Sequence, residues 1–180
     1  MKKKINVIDL DKTLIPYDSF RILVKKEIYK VNLRVIFFTK LRILRIISLE
    51  KYKEYIIPLI EKKYDDSFFK EFALSLYRDM DSLVLKEVLK ETDNNTINIL
   101  LSASPDFYVK HLIDELKWQG KGSYFDKSNN FLHLYGSSKI SWIKGNYDER
   151  EFEYNMAISD SSTDDKLLKL FQRRIKWILQ

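Results

Sequence analysis

Three short apolar segments of the sequence end in side chains that could do chemistry. The segments are residues 5–10, 96–101 and 154–159, and each contains β-branched residues. The polar residues at or just after their ends are Asp9, Asp11 and Thr13, then Ser102, and then Asp160 and Asp164. Short apolar runs bounded by polar residues are typical of buried strands. If these strands are parallel, their polar ends converge at one edge of a sheet.

A crevice lined by several carboxylates predicts a divalent cation. Like charges repel strongly in a medium of low dielectric constant, and a bound cation neutralises them. The chain has no Cys, and its two His residues are not clustered, so carboxylate oxygens favour Mg²⁺ over zinc. Lys139 follows the turn at 135–138 and would add a positive charge for an anionic substrate. Mg²⁺, a Lys and a Ser hydroxyl around a carboxylate indicate phosphoryl transfer.

The remaining segments predict the elements that position these groups. The pattern favours helices over 106–116, over 139–144 and from Ser161 or Ser162 to 171, a loop over 120–130, and strands over 131–135 and 174–179. Strands that alternate with helices predict a parallel sheet with its site at the carboxyl ends of the strands. The predicted fold class is therefore α/β, with a three-layer, Rossmann-like parallel sheet as its core.

A long helical insert is predicted between the first two strands. A βαβ unit needs about 30 residues, whereas 91 positions separate Asp11 from Ser102. Residues 20–90 contain no Gly, and their apolar residues recur at spacings of three and four, with Asp18 suited to cap the first helix. We therefore expect a helical cap at 16–91 and a catalytic core formed by 1–15 and 92–180.

Four of these segments, in this order, resemble the motifs of the haloacid dehalogenase superfamily. Residues 7–14, Val-Ile-Asp-Leu-Asp-Lys-Thr-Leu, resemble the first motif, Asp-x-Asp-x-Thr. The strand that ends in Ser102 resembles the second motif, Lys139 the third, and the acidic pair at 160 and 164 the fourth. The insert is similar to the helical cap of the phosphoserine-phosphatase-like branch. The resemblance covers essentially the whole chain.

The resemblance implies a catalytic pair and a metal site. Asp9 would be the nucleophile that attacks phosphorus and forms an aspartyl-phosphate. Asp11 would protonate the leaving oxygen and then deprotonate the hydrolytic water. Mg²⁺ would be held by the carboxylates of Asp9 and Asp160 and by the backbone carbonyl of Asp11. The second acid separates the family's phosphatases and phosphotransferases from its dehalogenases, so Asp11 favours the former.

The resemblance also implies phosphate-binding and supporting residues. Ser102 and the amide of Ala103 would bind phosphoryl oxygens. Lys139 would offset the negative charge of the nucleophile and the phosphate. Asp164 would orient metal-bound water or act as a further ligand, and Thr13 would support the first loop through hydrogen bonds.

Two positions depart from the family pattern, and two assignments have alternatives. Lys12 and Ser159 stand where the family frequently has Gly. Asp165 is an alternative to Asp164, although a spacing of four residues after Asp160 favours Asp164. Lys144 is an alternative third-motif lysine, but it lies later in its helix.

Composition limits the class of protein. The chain has 180 residues, of which 45% are hydrophobic and 32% charged, with a net charge of +6. These values exclude wholesale disorder and fit one domain that carries an insert. The lack of Cys excludes disulfide scaffolds and thiol catalysis, and no apolar run approaches the ~18 residues of a membrane-spanning helix. The expected location is the cytoplasm.

The positive charge is concentrated in the predicted cap. Residues 20–48 contain eight basic residues and one acidic residue, interleaved with apolar ones. One interpretation is a cap helix with a core face and a solvated basic face. A second is a contact with an anionic membrane surface or a lipid phosphate. A third, nucleic-acid binding, has no supporting motif and is not expected.

The sequence as a whole predicts a Mg²⁺-dependent phosphatase. It would hydrolyse a small phosphomonoester through an aspartyl-phosphate, as a monomer or dimer. Two alternatives stay open. One is a lipid- or sugar-phosphate phosphatase that acts at a membrane surface through its basic cap. The other is a non-catalytic anion-binding protein.

Overall fold

The three apolar segments form the central strands of a six-stranded sheet. The computed structural model describes residues 2–178. In chain order the strands are β1 Lys3–Ile8, β2 Thr96–Pro105, β3 Gln119–Phe125, β4 Phe131–Leu132, β5 Phe152–Ser159 and β6 Arg173–Lys176. The helices are α1 Ser19–Tyr29, α2 Leu33–Ile43, α3 Leu49–Glu61, α4 Asp66–Arg78, α5 Ser82–Lys90, α6 Asp106–Leu116, α7 Ser137–Asn146 and α8 Asp165–Leu168.

The order of the strands places β1 at the centre of the sheet. The order is β4-β3-β2-β1-β5-β6, and all neighbouring pairs are parallel except β3 and β4. Ile8 pairs with Leu100 on one side and with Ile158 on the other. The carboxyl ends of β1 and β5 are therefore level, and β2 continues past them to Pro105. The predicted α/β class and parallel sheet are confirmed, with a short antiparallel strand added at one edge.

Two hydrophobic clusters cover the two faces of the sheet and produce three layers. Ile5 and Val7 of β1 belong to a cluster that includes residues of α7 and α8. Ile8 belongs to the other cluster, which includes residues of α6 and of the helices between β1 and β2. This alternation along β1 is the reason that a nearly continuous apolar strand can support helices on both faces.

Capping side chains divide the long helical segment into five helices. Each of α1 to α5 is preceded by a residue whose side chain accepts a hydrogen bond from a backbone N–H in the first turn. These residues are Asp18, Asn32, Ser48, Asp65 and Asp81. Such caps satisfy the free N–H groups of a helix start, so the chain can turn repeatedly without Gly. No helix among residues 2–178 combines the length and apolarity needed to span a bilayer.

The inserted helices pack directly on the core. Phe69 of α4 lies 4.3 Å from Phe107 of α6, and Phe72 lies 5.0 Å from Tyr108, measured between ring centroids. The residues of α1 to α5 and those of the sheet and α6 form one continuous buried cluster. The insert therefore has no separate hydrophobic core of its own among the described residues.

Four of the predicted element boundaries are wrong. The strand predicted at 131–135 is only Phe131–Leu132. The expected loop at 120–130 contains most of β3. Gly120 and Gly122 suggest a loop in the sequence, but a Cβ at Gly120 would lie 1.9 Å from the backbone oxygen of Leu100. Close approach of β3 to β2, rather than a turn, requires these glycines. The last helix is a 3₁₀ turn at Ser162–Asp164 followed by α8, which ends at Leu168. The last strand ends at Lys176, and position 179 of its predicted span lies outside the described residues.

Candidate active site

A buried lysine joins two carboxylates at the carboxyl edge of the sheet. Asp9 directly follows β1, and its backbone N–H donates to the carbonyl of Ile158 at 3.0 Å. The Nζ of Lys139, in the first turn of α7, lies 2.8 Å from Oδ1 of Asp9 and 2.7 Å from Oδ2 of Asp164. Lys139 is only 2% exposed. The structure thus brings together three of the predicted residues in one ionic cluster.

Burial and charge act in opposite directions on this cluster. Burial raises the pKa of Asp9 to about 6, and the neighbouring carboxylates of Asp164 and Asp11 add to that rise, while Lys139 opposes it. Burial would lower the pKa of Lys139, but the Asp9 and Asp164 carboxylates outweigh burial and hold it above its usual range. Lys139 therefore remains a cation at neutral pH, next to the carboxylate that the sequence identifies as the nucleophile.

Asp11 lies in a separate cluster of hydroxyl groups. Its Oδ1 accepts hydrogen bonds from the backbone N–H and the Oγ of Ser19, both at 2.6 Å. Its Oδ2 accepts a hydrogen bond from Ser104 Oγ. The Tyr108 hydroxyl lies 2.8 Å from Ser19 Oγ. Burial raises the pKa of Asp11, and these hydrogen bonds oppose the rise. A carboxyl group with a raised pKa is suited to give and take a proton.

Thr13 links the loop after β1 to the loop after β5. Thr13 is fully buried. Its Oγ1 accepts a hydrogen bond from the backbone N–H of Asp160 at 2.9 Å and lies 3.4 Å from Asp160 Oδ1. Thr13 therefore fixes the position of Asp160 relative to the two acids of the first loop, which is a supporting role of the kind predicted for it.

The end of β2 contacts the inserted helices through a lysine. Ser102 is buried, and its Oγ accepts a hydrogen bond from the backbone N–H of Ser104 at 3.0 Å. The carbonyl of Ala103 accepts from Ser123 Oγ at 2.8 Å and from Lys53 Nζ at 2.7 Å. Lys53 belongs to α3, so a cationic group of the insert reaches the segment in which phosphate binding is predicted.

The sequence interpretation did not identify four polar residues of this region: Ser19, Lys53, Ser104 and Ser159. Ser159 Oγ donates to Asp164 Oδ2 at 2.8 Å, so the residue that replaces a frequent Gly stabilises the acidic cluster. Lys12, at the other such position, has a φ of 58°, a conformation that favours Gly. Two of the four had a sequence signal: Ser159 stands where the family frequently has Gly, and Ser104 follows Ser102 at the alternation of a strand.

The donor set fits a magnesium ion that keeps several water ligands. Residues 2–178 contain no group of three His, Cys, Asp or Glu side chains arranged to hold a metal. The predicted set uses only the carboxylates of Asp9 and Asp160 and one backbone carbonyl, all of them oxygen donors. Mg²⁺ commonly binds through one or two carboxylates and retains water in its other positions. The residues present are therefore compatible with Mg²⁺ and unsuited to a closed zinc site.

A family model matches most of the chain. The model for haloacid dehalogenase-like hydrolases matches residues 7–169, a span that includes every predicted site residue. No curated protein matches the sequence.

Several solved structures share the fold at low sequence identity. A protein of unknown function from Bordetella pertussis Tohama I has 14% identity and a TM-score of 0.72, over 97% of this chain and 89% of that one. A phosphoserine phosphohydrolase-like protein from Francisella tularensis has 16% identity and a TM-score of 0.57, over 98% and 95%. A phospho-aspartyl intermediate analogue of a phosphoserine phosphatase has 14% identity and a TM-score of 0.55, over 98% and 95%.

Proposed function

Because this chain belongs to the haloacid dehalogenase-like hydrolases, we propose that it is a Mg²⁺-dependent phosphatase of small phosphomonoesters. The observation that carries the proposal is the pair of acids two positions apart, the buried Asp9 beside the Lys139 cation and Asp11 among hydroxyl donors. A binding protein needs the first of these acids to hold a cation. The second acid, whose pKa is raised by burial, is suited to transfer a proton.

In the proposed first step, a carboxylate oxygen of Asp9 attacks phosphorus in line with the leaving oxygen. The new Asp9–phosphorus bond forms as the bond to the leaving oxygen breaks, and Asp11 gives its proton to that oxygen. Lys139 offsets the charge on the equatorial oxygens. In the second step, water attacks the aspartyl-phosphate, Asp11 takes the proton, and inorganic phosphate and free Asp9 result.

The metal would supply charge neutralisation for the phosphoryl group. Asp9, the Asp11 carbonyl and Asp160 are the proposed ligands, and Asp164 would act through Lys139 and through water. The indirect role of Asp164 is supported by its contacts, since its Oδ2 already accepts hydrogen bonds from Lys139 and Ser159.

Removal of Mg²⁺ tests the proposed function. We expect hydrolysis of p-nitrophenyl phosphate and of a panel of metabolites, phosphoserine among them, to stop in a chelator and to return with Mg²⁺. Because ligands that bind the native state stabilise it, Mg²⁺ should raise the Tm of the unaltered protein. Asp160→Asn should reduce both this Tm shift and the activity. The Mg²⁺ concentration needed for half-maximal activity should rise about tenfold or more.

The matched control for this experiment is Asp165→Asn, an exposed acid that pairs with Lys176 at 2.7 Å. This variant should keep the Mg²⁺ response of the unaltered protein. Phosphate binding without hydrolysis of any ester in the panel would instead favour a non-catalytic anion-binding protein.

We propose that Lys53 is the residue of the insert that binds the phosphoryl group through a charged hydrogen bond. Burial lowers the pKa of Lys53, and the carboxylate of Asp11 opposes the change. A charged hydrogen bond contributes about 1.5–3 kcal/mol, so Lys53→Met should weaken competitive inhibition by inorganic phosphate about tenfold or more. Lys51→Met, on the exposed side of the same helix, should leave the inhibition constant unchanged. Equal inhibition constants in the two variants would exclude this role.

A further inference from the structure

Helix α2 buries only one of its eleven residues, Val35. Leu33, Phe37 and Leu44 follow one another at spacings of four and seven, so they form one stripe along the helix. Val35 lies two positions from both Leu33 and Phe37, which places it on the opposite side. The helix is therefore apolar on two faces, and the outward face stays exposed in the part of the chain that the structure describes.

The turns at both ends of α2 extend this exposed face. We call the following seven residues the α2 surface: Tyr29, Val31, Leu33, Phe37, Ile43, Leu44 and Ile46. Their exposed fractions lie between 56% and 74%. An eleven-residue helix is about 16 Å long, so the stripe of Leu33, Phe37 and Leu44 spans the length of α2, and the other four residues lie on the helix or on the chain that flanks it. An open groove of about 540 Å³, lined in part by Phe38, Tyr55 and Leu59, lies alongside.

The chain segment that carries the α2 surface is strongly basic. Residues 20–48 contain eight basic residues and one acid, Glu27. Glu27 is fully buried, and it accepts hydrogen bonds from Lys63 at 2.7 Å and from Asn32 at 3.0 Å. Its negative charge is therefore used inside the insert and does not offset the basic residues at the surface.

We propose that the α2 surface docks on an anionic phospholipid bilayer, with α2 parallel to the membrane plane. Exposed Leu, Ile and Phe side chains gain free energy in the interfacial region of a bilayer. Lys and Arg near an anionic surface add electrostatic attraction to this gain. The surface supplies both contributions on one short helix and its two turns. This inference concerns location and stands independently of the proposed phosphatase activity.

Two other partners fit the same surface less well. A second copy of the chain, related by a twofold axis, would bring the basic residues of two α2 surfaces together, and like charges oppose such an interface. Nucleic acid would match the charge, but phosphate contacts make no use of seven exposed aliphatic and aromatic side chains. The combination of apolar stripe and basic rim matches a bilayer alone among these three.

Vesicle sedimentation tests the proposal. We expect the full-length protein to sediment at low salt with vesicles of equal parts phosphatidylcholine and phosphatidylglycerol, and far less with phosphatidylcholine alone or at high salt. Leu33→Ser with Phe37→Ser should lower the partition coefficient about tenfold or more. Arg34→Gln with Lys40→Gln should have an effect of about the same size.

The matched control is Leu83→Ser with Leu89→Ser, two exposed leucines of α5. These controls should sediment like the unaltered protein, and all variants should hydrolyse a soluble ester as it does. Failure of the unaltered protein to sediment, or an equal loss in the α5 pair, overturns the proposal. A dimer that the α2 serine variant converts to monomers would overturn it in favour of a second copy. RNA binding lost only in the charge variant would overturn it in favour of nucleic acid.

Discussion

Asp9→Asn is expected to abolish hydrolysis of p-nitrophenyl phosphate, with kcat reduced on the order of 10⁴-fold or more. An amide oxygen is a poor nucleophile, so the covalent step is lost even though the side chain keeps its shape. The Asn oxygen can still accept the hydrogen bond that Lys139 donates to Oδ1 of Asp9 at 2.8 Å. We therefore expect the variant to be folded, with a urea midpoint near that of the unaltered protein.

Asp11→Asn distinguishes the two acids in the same assay. p-Nitrophenol is a good leaving group and needs little protonation, so the first step should survive in this variant. Hydrolysis of the aspartyl-phosphate should then be slow, because no base activates the water. A burst of p-nitrophenol equal to the enzyme concentration, followed by a low steady rate, is the expected result.

Activity of Asp9→Asn equal to that of the unaltered protein would contradict the assignment of the nucleophile.

Lys139→Met is expected to lower the free energy of unfolding of the metal-free protein by about 3–5 kcal/mol, because two buried carboxylates lose their only cationic partner in the cluster. Lys144→Met, on an exposed part of the same helix, should change stability by less than about 0.5 kcal/mol. Asp164→Leu added to Lys139→Met should restore much of the loss, since it replaces a buried charge by an apolar side chain. Urea unfolding of the three variants measures all of these differences.

The loss in Lys139→Met should grow with pH. The pKa of Asp9 is raised to about 6 in the folded protein, above the ordinary value of 3.8 for an aspartate side chain. The native state therefore binds more protons than the unfolded state between these values, and stability falls as pH rises through that window. Without Lys139 the pKa of Asp9 rises further, and the window extends upward. The difference from the unaltered protein should therefore be larger at about pH 8 than at about pH 5. A difference that is constant with pH, or no larger than that of Lys144→Met, would contradict this account.

The sequence was sufficient to predict the sheet and the position of its acids. Short apolar segments define β1, β2 and β5, and residues that follow parallel strands must lie at one edge. The ion pair of Lys139 with Asp9 spans 130 positions, yet it follows from the placement of a helix start next to that edge. The order of the strands and helices along the chain was therefore enough to predict which of them meet at this edge of the sheet.

The hydrogen-bond partners of Asp11 could not be predicted in the same way. Ser19 is eight positions away and Ser104 is 93 positions away, and serine is common in turns and strand ends. Which serines contact Asp11 depends on the direction in which α1 leaves the first loop, and no local sequence pattern specifies that direction. Lys53 had no signal at all, because a lysine on an amphipathic helix is ordinarily solvated. Lys53 is buried where α3 meets the carbonyl of Ala103 at the end of β2.

Glycine was the least reliable local signal. Gly120 reads as a loop residue, although a neighbouring backbone is the reason for it. At Lys12 the backbone is left-handed although the residue is not Gly, so the sequence gives no sign of this conformation. In both cases the decisive constraint comes from an adjacent segment rather than from the residue's own neighbours in sequence.

The aromatic contacts between α4 and α6 have a consequence for how this protein can diverge. Phe69 and Phe72 belong to the insert, and Phe107 and Tyr108 belong to the helix that covers the sheet. Recombination that exchanged the whole insert would remove the aromatic side chains that pack on α6, the helix next to the sheet. Changes in the insert are therefore coupled to changes in the core through the contact between α4 and α6.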